Sequence, residues 1–394
     1  MKRFGANYIF PVCGPPIRNG IVETNNTGEI LRIIETDSVF REIHSTQFFN
    51  GVIVPGFINA HCHLELSHLK GLKVKKPGIA GFIEAVTEQR ESSQENISKS
   101  IYDAINQAYT SGTVAVADIC NSASTLPHKQ KSELFFHNFI ELFGINPDVA
   151  EKTFGHGLNV YYEFSKHYPE STSLTPHSTY SLSEKLWEII SEHLNEKDGK
   201  IVSIHYGESM AEYEFLATGS GPLYHRYKNS NLPFIAPAGK SPAIVITSYL
   251  PNKVQALLVH NTFASTEELL SLNRWFDSLT LVACPESNLL IENAIPPLDK
   301  FEANGLNIAI GTDSLASTSS LSMLHQIMII LNHFPAIDFQ TVLRWATING
   351  AKALNIDNMY GTLGIGKKPG LVLVDHFDFT KMRPTEKSVA KRLI

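Results

Sequence analysis

Eight short apolar runs, separated by stretches of helical pattern, constrain the fold of this chain more than any other feature. They occupy residues 51–60, 113–120, 134–144, 171–181, 201–209, 256–263, 279–288 and 306–316. The first carries Val52, Ile53, Val54, Phe57 and Ile58 almost without polar interruption, which reads as a strand buried on both faces. Between the runs, residues 97–109, 183–194, 265–272 and 321–332 have helical spacing or helix-start signals. Examples are Ser183 ahead of Leu186, Ile189 and Ile190, and Ser265 ahead of Glu267 and Glu268. Strands alternating with helices call for a parallel sheet, and eight of them for a closed (β/α)8 TIM-like barrel, an α/β fold. The segment 222–242, rich in Gly, Pro and Asn, is expected as a long loop over one barrel mouth.

The two ends of the chain read differently. Apolar alternations over residues 8–43 are broken by Gly20, Asn25, Asn26 and Gly28, and a strand-like run, 371–375, follows a turn-rich stretch. Neither end has enough sequence to fold alone. A small β-sandwich domain composed of both termini, residues 1–52 and 357–394, is therefore expected beside a barrel over 53–356, the whole fitting a length of 394 residues.

Composition narrows the partners. A net charge of -6 gives no basic footprint for nucleic acid or an anionic membrane, so a small-molecule substrate is expected. No apolar stretch reaches the ~18 residues of a membrane span, and the N-terminus lacks a long apolar signal segment, which points to a cytoplasmic address. Cys13, Cys62, Cys120 and Cys284 are far apart and form no CxxC pair, so neither a disulfide framework nor a thiolate zinc knuckle is expected.

Barrels of this kind do their chemistry at the C-terminal ends of their strands, so what stands where each run stops is decisive. The first run ends in His61 and His63, which share one face because residues two apart in a strand point the same way. The fourth ends in His177, the fifth in His205 with Glu208 three residues on, the sixth in His260 and the eighth in Asp313. One such histidine alone would read as a hydrogen-bonded structural residue; their recurrence at strand ends reads as a site. Three imidazoles and a carboxylate, His61, His63, His205 and Asp313, would bind one divalent metal ion, zinc or iron(II), leaving a position for water. Bound metal lowers the pKa of such a water towards neutrality. Glu208 is spaced to move protons, His260 to orient the water or stabilise a developing negative charge, and Asp313 to accept a proton as well as touch the metal. Residues 171–181 contain no lysine to bridge a second metal, which favours one ion.

These motifs, in this order, resemble the amidohydrolase superfamily and within it the mononuclear deaminase and chlorohydrolase-like branch. PGFINAHCHLELSHLKG resembles its first-strand motif, TPHSTYSLS its fourth-strand segment, HYGES its His-x-x-Glu and LVHNTF its sixth-strand histidine. ACPESNLLIENAIPPLDKFEANGLNIAIGTDSLAS is similar to its last two strands, and GTLGIGKKPGLVLVD to its return to the β-domain. The resemblance implies metal ligation by His61, His63, His205 and Asp313, catalytic roles for Glu208, His260 and Asp313, substrate contact by His177, and hydrolytic deamination of an exocyclic amine on a purine-like ring. Glu65, with Leu66 and Ser67, resembles the aminodeoxyfutalosine deaminases of menaquinone biosynthesis more than the adenosylhomocysteine or guanine deaminases, and would make Glu65 a substrate contact; a loop carboxylate that caps a helix or is simply solvated is the other reading. The Ser-rich stretch after Asp313 departs from the branch's Asn-rich one. Relatives of this architecture are often homodimers, which sets an expectation by analogy.

Competing readings are hydrolysis of another bond, such as carbon–chlorine, at the same site, and a non-catalytic binding protein on a decayed barrel. The second is disfavoured because decay would have removed at least one of the site residues. His68, His128, His137, His156, His193 and His225 fall in expected helices or loops and read as surface residues.

Overall fold

Gly56 divides the first apolar run into two strands that belong to different sheets. The structure, a computed structural model, describes residues 1–36, 43–196 and 200–394; residues 37–42, within the span of expected N-terminal strands, lie outside the described residues. Before the division come β1 (Lys2–Ile9), β2 (Ile17–Arg18), β3 (Ile21–Thr24), β4 (Ile30–Ile34) and β5 (Thr46–Pro55). After it, β6 (Phe57–Cys62) opens the barrel. The single strand expected over 51–60 is thus corrected. A Cβ on Gly56 would stand 2.2 Å from Val114 Cγ1 and 2.5 Å from the Pro369 carbonyl oxygen, so only glycine lets the chain pass between the two sheets.

The barrel strands follow as β7 (Thr113–Cys120), β8 (Phe135–Leu142), β9 (Thr172–Pro176), β10 (Ile201–Tyr206), β11 (Gln255–His260), β12 (Ser278–Ala283) and β13 (Ile308–Ile310). They pair in parallel as two four-stranded arcs, β6-β7-β8-β9 and β10-β11-β12-β13. Side chains and strand ends close the two seams. Between β9 and β10, the His205 N–H donates to the His177 carbonyl at 2.8 Å, and the Ser203 N–H to Thr175 Oγ1 at 2.9 Å. Between β13 and β6, the Thr312 and Asp313 N–H groups both reach the His61 carbonyl at 3.0 Å, while Asn59 exchanges hydrogen bonds with Thr312. Gly311 permits this second closure, since a Cβ there would lie 2.9 Å from both the nitrogen and the oxygen of His61. Each seam therefore fixes residues that the sequence places in the site.

The helices start where the sequence signals them. Ser183 Oγ caps the helix Glu184–Asn195 by accepting from Leu186 N, and Ser265 Oγ caps Thr266–Trp275 through Glu268 N. Segment 222–242 is only partly loop, because a helix spans Gly221–Asn229 and buries Leu223 and Tyr227 in an apolar cluster with Tyr180 and Phe215. His137 is corrected from surface to core: it lies on β8, 3% exposed, with Nε2 2.9 Å from Ser173 Oγ.

After the barrel come β14 (Leu371–Val374), β15 (Phe377–Asp378), β16 (Arg383–Pro384) and β17 (Ala390–Arg392). Among the described residues the two ends of the chain build one mixed seven-stranded sheet, ordered β17-β14-β5-β1-β3-β4 with β2 on β1, beside the separate β15–β16 pair. No helix among the described residues is long and apolar enough to cross a membrane.

Candidate active site

Three imidazoles meet at the mouth of the barrel. His63 Nε2 lies 3.1 Å from His61 Nε2, 3.3 Å from His205 Nε2 and 3.5 Å from Asp313 Oδ1. A ring nitrogen carries at most one proton and so cannot donate to three neighbours at once. His205 Nδ1 sits 2.9 Å from the His177 carbonyl, an acceptor only, so that nitrogen holds the proton and Nε2 presents its lone pair. Burial keeps His61 and His205 well below the ordinary imidazole range, which leaves both rings neutral. Converging lone pairs beside a carboxylate oxygen are what a divalent cation takes, and the donor set fits zinc or iron(II).

The carboxylate is held for this geometry. Asp313 Oδ2 accepts from Ser287 Oγ at 2.6 Å and Ser317 Oγ at 2.9 Å, which leaves Oδ1 facing the imidazoles. Burial would raise its pKa, but the imidazoles of His63 and His260 and the Ser287 hydroxyl hold it below the usual carboxylate range. The backbone bends to present it: Asp313 has φ of 61° and His260 φ of 77°, left-handed conformations that non-glycine residues adopt at some cost.

Glu208 and His260 form the second half of the site. Glu208 Oε1 is 3.6 Å from His260 Nε2, which has no hydrogen-bond partner among the described residues; His260 Nδ1 is fixed 3.1 Å from Asn288 Oδ1. Burial, with Asp313 and Glu292 nearby, pushes the Glu208 carboxyl well above its ordinary range, which favours its protonated form. Its backbone N–H donates to Glu212 Oε2 at 3.0 Å, which orients the turn after β10.

His177 stacks on His205 with ring centroids 4.5 Å apart, its Nδ1 2.8 Å from Ser181 Oγ. Burial, with His63 and His260 close by, lowers it to about 3. The structure thus brings together His61, His63, His177, His205, Glu208, His260 and Asp313. Glu65 stands apart from them in its contacts. Its two oxygens accept the N–H groups of Asn121 and Ser122 at 2.8 Å each and the hydroxyls of Ser122 and Ser124, so the carboxylate organises the loop after β7 rather than a helix N-terminus.

Sequence reading missed Glu141, Ser287 and Asn288. Glu141 is the last residue but one of β8, 3.6 Å from His205 Nδ1, and burial pushes its carboxyl up to about 7. The strand-end rule that found the histidines would have found it had carboxylates been included. Ser287 and Asn288 lie in the first turn of the helix Pro285–Glu292, directly past β12, where a polar pair between Pro285 and an apolar run was the available signal.

Known proteins agree with this architecture. An adenosine deaminase of Helicobacter pylori is 26% identical over 356 residues, covering 88% of this chain and 84% of its own. An aminodeoxyfutalosine deaminase of Nitratiruptor is 26% identical over 332 residues, covering 83% and 79%. Among solved structures, Helicobacter pylori aminofutalosine deaminase in complex with methylthio-coformycin superposes with a TM-score of 0.81 at 23% identity, covering 100% of both chains. The sequence pattern of the amidohydrolase family matches residues 52–391, the whole barrel with the end of β5 before it and most of the C-terminal strands after it. On that match, carried by a barrel whose strand ends gather five histidines with Glu208 and Asp313 into one site, the chain belongs to the amidohydrolase family.

Proposed function

We propose that this enzyme hydrolyses the exocyclic amine of a purine nucleoside-like substrate, releasing ammonia, with 6-amino-6-deoxyfutalosine as the substrate. The observation that carries the reading is geometric: Glu208 Oε1 stands 3.6 Å from His260 Nε2 beside the cluster in which His63 Nε2 lies 3.1 Å from His61 Nε2, 3.3 Å from His205 Nε2 and 3.5 Å from Asp313 Oδ1. A buried carboxyl set next to a metal-binding cluster that holds a second carboxylate supplies a proton donor and a proton acceptor within one site.

His61, His63, His205 and Asp313 would hold the metal, whose chemistry when bound is to make water nucleophilic near neutral pH. Glu208 donates its proton to the ring nitrogen next to the carbon under attack, drawing electron density away from it. Asp313 takes a proton from the attacking water, and that proton passes to the departing amine, while the water's second proton leaves the oxygen as the ring carbonyl forms and returns to Glu208. His260 orients the water and steadies charge on the oxygen. Atoms balance as amine plus water giving a ring carbonyl plus ammonia. His177, kept neutral, offers a hydrogen bond to the ring edge away from Glu208.

The substrate choice is supported by the Nitratiruptor relative and by the HLELS sequence after the metal pair. It is tested by competition. With 6-amino-6-deoxyfutalosine, adenosine, methylthioadenosine and adenosylhomocysteine each assayed for ammonia release, the first should show the highest kcat/KM. A tenfold preference for any other would reassign the substrate within the deaminase reading.

A further inference from the structure

Glu141 is the buried carboxylate of the site that nothing so far employs. It lies one residue before the end of β8, and Oε1, itself buried, has no hydrogen-bond partner among the described residues. A buried acceptor without a donor costs about 1–3 kcal/mol, and such a group calls for the partner it is waiting for. Oε1 lies 3.6 Å from His205 Nδ1, too far for a hydrogen bond, and within one cluster with His177. That cluster is not a second metal site, because His205 Nδ1 donates to the His177 carbonyl and has no lone pair to offer.

The other oxygen shows that Glu141 is deliberately aimed. Oε2 accepts from Asn121 Nδ2 at 3.1 Å, and the same amide reaches the Glu141 carbonyl at 3.3 Å. Asn121 is in turn fixed by Glu65, whose Oε2 accepts its backbone N–H at 2.8 Å. A relay therefore runs from Glu65, just past the metal pair, through the loop after β7 to Glu141. It leaves one oxygen of Glu141 free on the His177 side of His205, while Glu208 lies on the His260 side.

We propose that Glu141 Oε1 accepts a hydrogen bond from a sugar hydroxyl of the nucleoside substrate, with Asn121 and Glu65 as positioning residues that hold it. This rests on the deaminase reading above. Glu208 engages the ring nitrogen and the exocyclic amine is the group that leaves, so the hydrogen-bond donors left on a purine nucleoside for an acceptor on the far side are the sugar hydroxyls.

The test compares adenosine with 2′,3′-dideoxyadenosine on the zinc-loaded chain. A site built to bind a hydroxyl discriminates against an analogue lacking it, so wild type should favour adenosine in kcat/KM by about 10- to 100-fold. In Glu141→Gln that ratio should fall to within about threefold of unity, through KM for adenosine, with metal content unchanged. Asn121→Ala should lower the ratio in the same direction with kcat unchanged, and it carries the test alone if the Glu141 variant does not fold. Equal losses on both nucleosides, or an unchanged ratio in Asn121→Ala, would overturn the proposal. So would two metal ions per chain with one lost in Glu141→Gln. Wild type releasing ammonia from neither nucleoside would instead bring down the deaminase reading, and the hydroxyl contact with it.

Discussion

Replacing Lys129 with methionine should destabilise the chain by about 4 kcal/mol, although the residue touches no group of the site. Lys129 is 1% exposed, and its Nζ lies 2.5 Å from Asp118 Oδ2, 2.7 Å from Asn138 Oδ1 and 3.2 Å from Cys120 Sγ. The rings of Phe164 and Phe136 stand 4.9 and 5.3 Å from the ammonium. Burial alone would lower the lysine pKa, but Asp118 and Cys120 more than offset it and keep the group above its ordinary range, so the ammonium stays protonated at neutral pH. Asp118 Oδ1 also accepts the Leu64 N–H at 2.8 Å, which ties the residue after His63 to the same charge. Methionine keeps the volume and removes the cation, leaving Asp118 buried without its counterion. Breaking a buried pair in this way costs about 3–5 kcal/mol, against a total stability of about 5–15 kcal/mol. Asp118→Asn added to Lys129→Met removes the orphaned charge and should recover about 1–2 kcal/mol. Urea unfolding followed by far-UV circular dichroism reads both, as a lower midpoint for the single variant and a partial return for the double. A single variant within about 1 kcal/mol of wild type, or a double variant less stable than the single, would refute the reasoning.

Glu208→Gln should retain stoichiometric metal and lose turnover by about 10²- to 10⁴-fold, the usual worth of a general acid; metal loss in step with activity would count against its role as proton donor. Gly311→Ala should push β13 from the His61 backbone, cost about 1–3 kcal/mol and weaken metal retention, read by thermal melting with metal analysis, and a normal melt would contradict the closure described. Burial pushes the Glu212 carboxyl up to about 8, against the hydrogen bonds of Thr179 and the backbone. Between about pH 4.5 and 8 the folded chain keeps this proton while the unfolded chain has lost it, so the residue's contribution falls by about 1.4 kcal/mol per pH unit as pH rises. Glu212→Gln should therefore gain stability relative to wild type from pH 5 to 8, and a pH-independent difference would show that the carboxyl is not held protonated.

Much of the fold is legible in the sequence because its signals are local. Eight apolar runs, cap residues such as Ser183 and Ser265, and polar residues at strand ends each declare themselves within a few positions. What escaped depends on partners distant in the chain. The division at Gly56 is set by Val114 and Pro369, and the carboxylate of Glu65 is engaged by a loop 56 residues away. Asp118 looks like an interruption of an apolar strand until Lys129 is seen beside it. The helix Gly221–Asn229 was hidden because Gly and Pro at its start read as loop, although Pro is tolerated in a first turn.

The central claim is a metal-dependent aminohydrolase, and one titration tests it most directly. Chelated protein, returned to zinc in steps, is assayed on 6-amino-6-deoxyfutalosine and adenosine for ammonia and for the ultraviolet shift from the amino to the oxo purine. Activity should rise linearly and saturate at one ion per chain, with one ammonia per oxo product. Saturation at two ions, or full zinc occupancy with no ammonia released from either substrate, would contradict it.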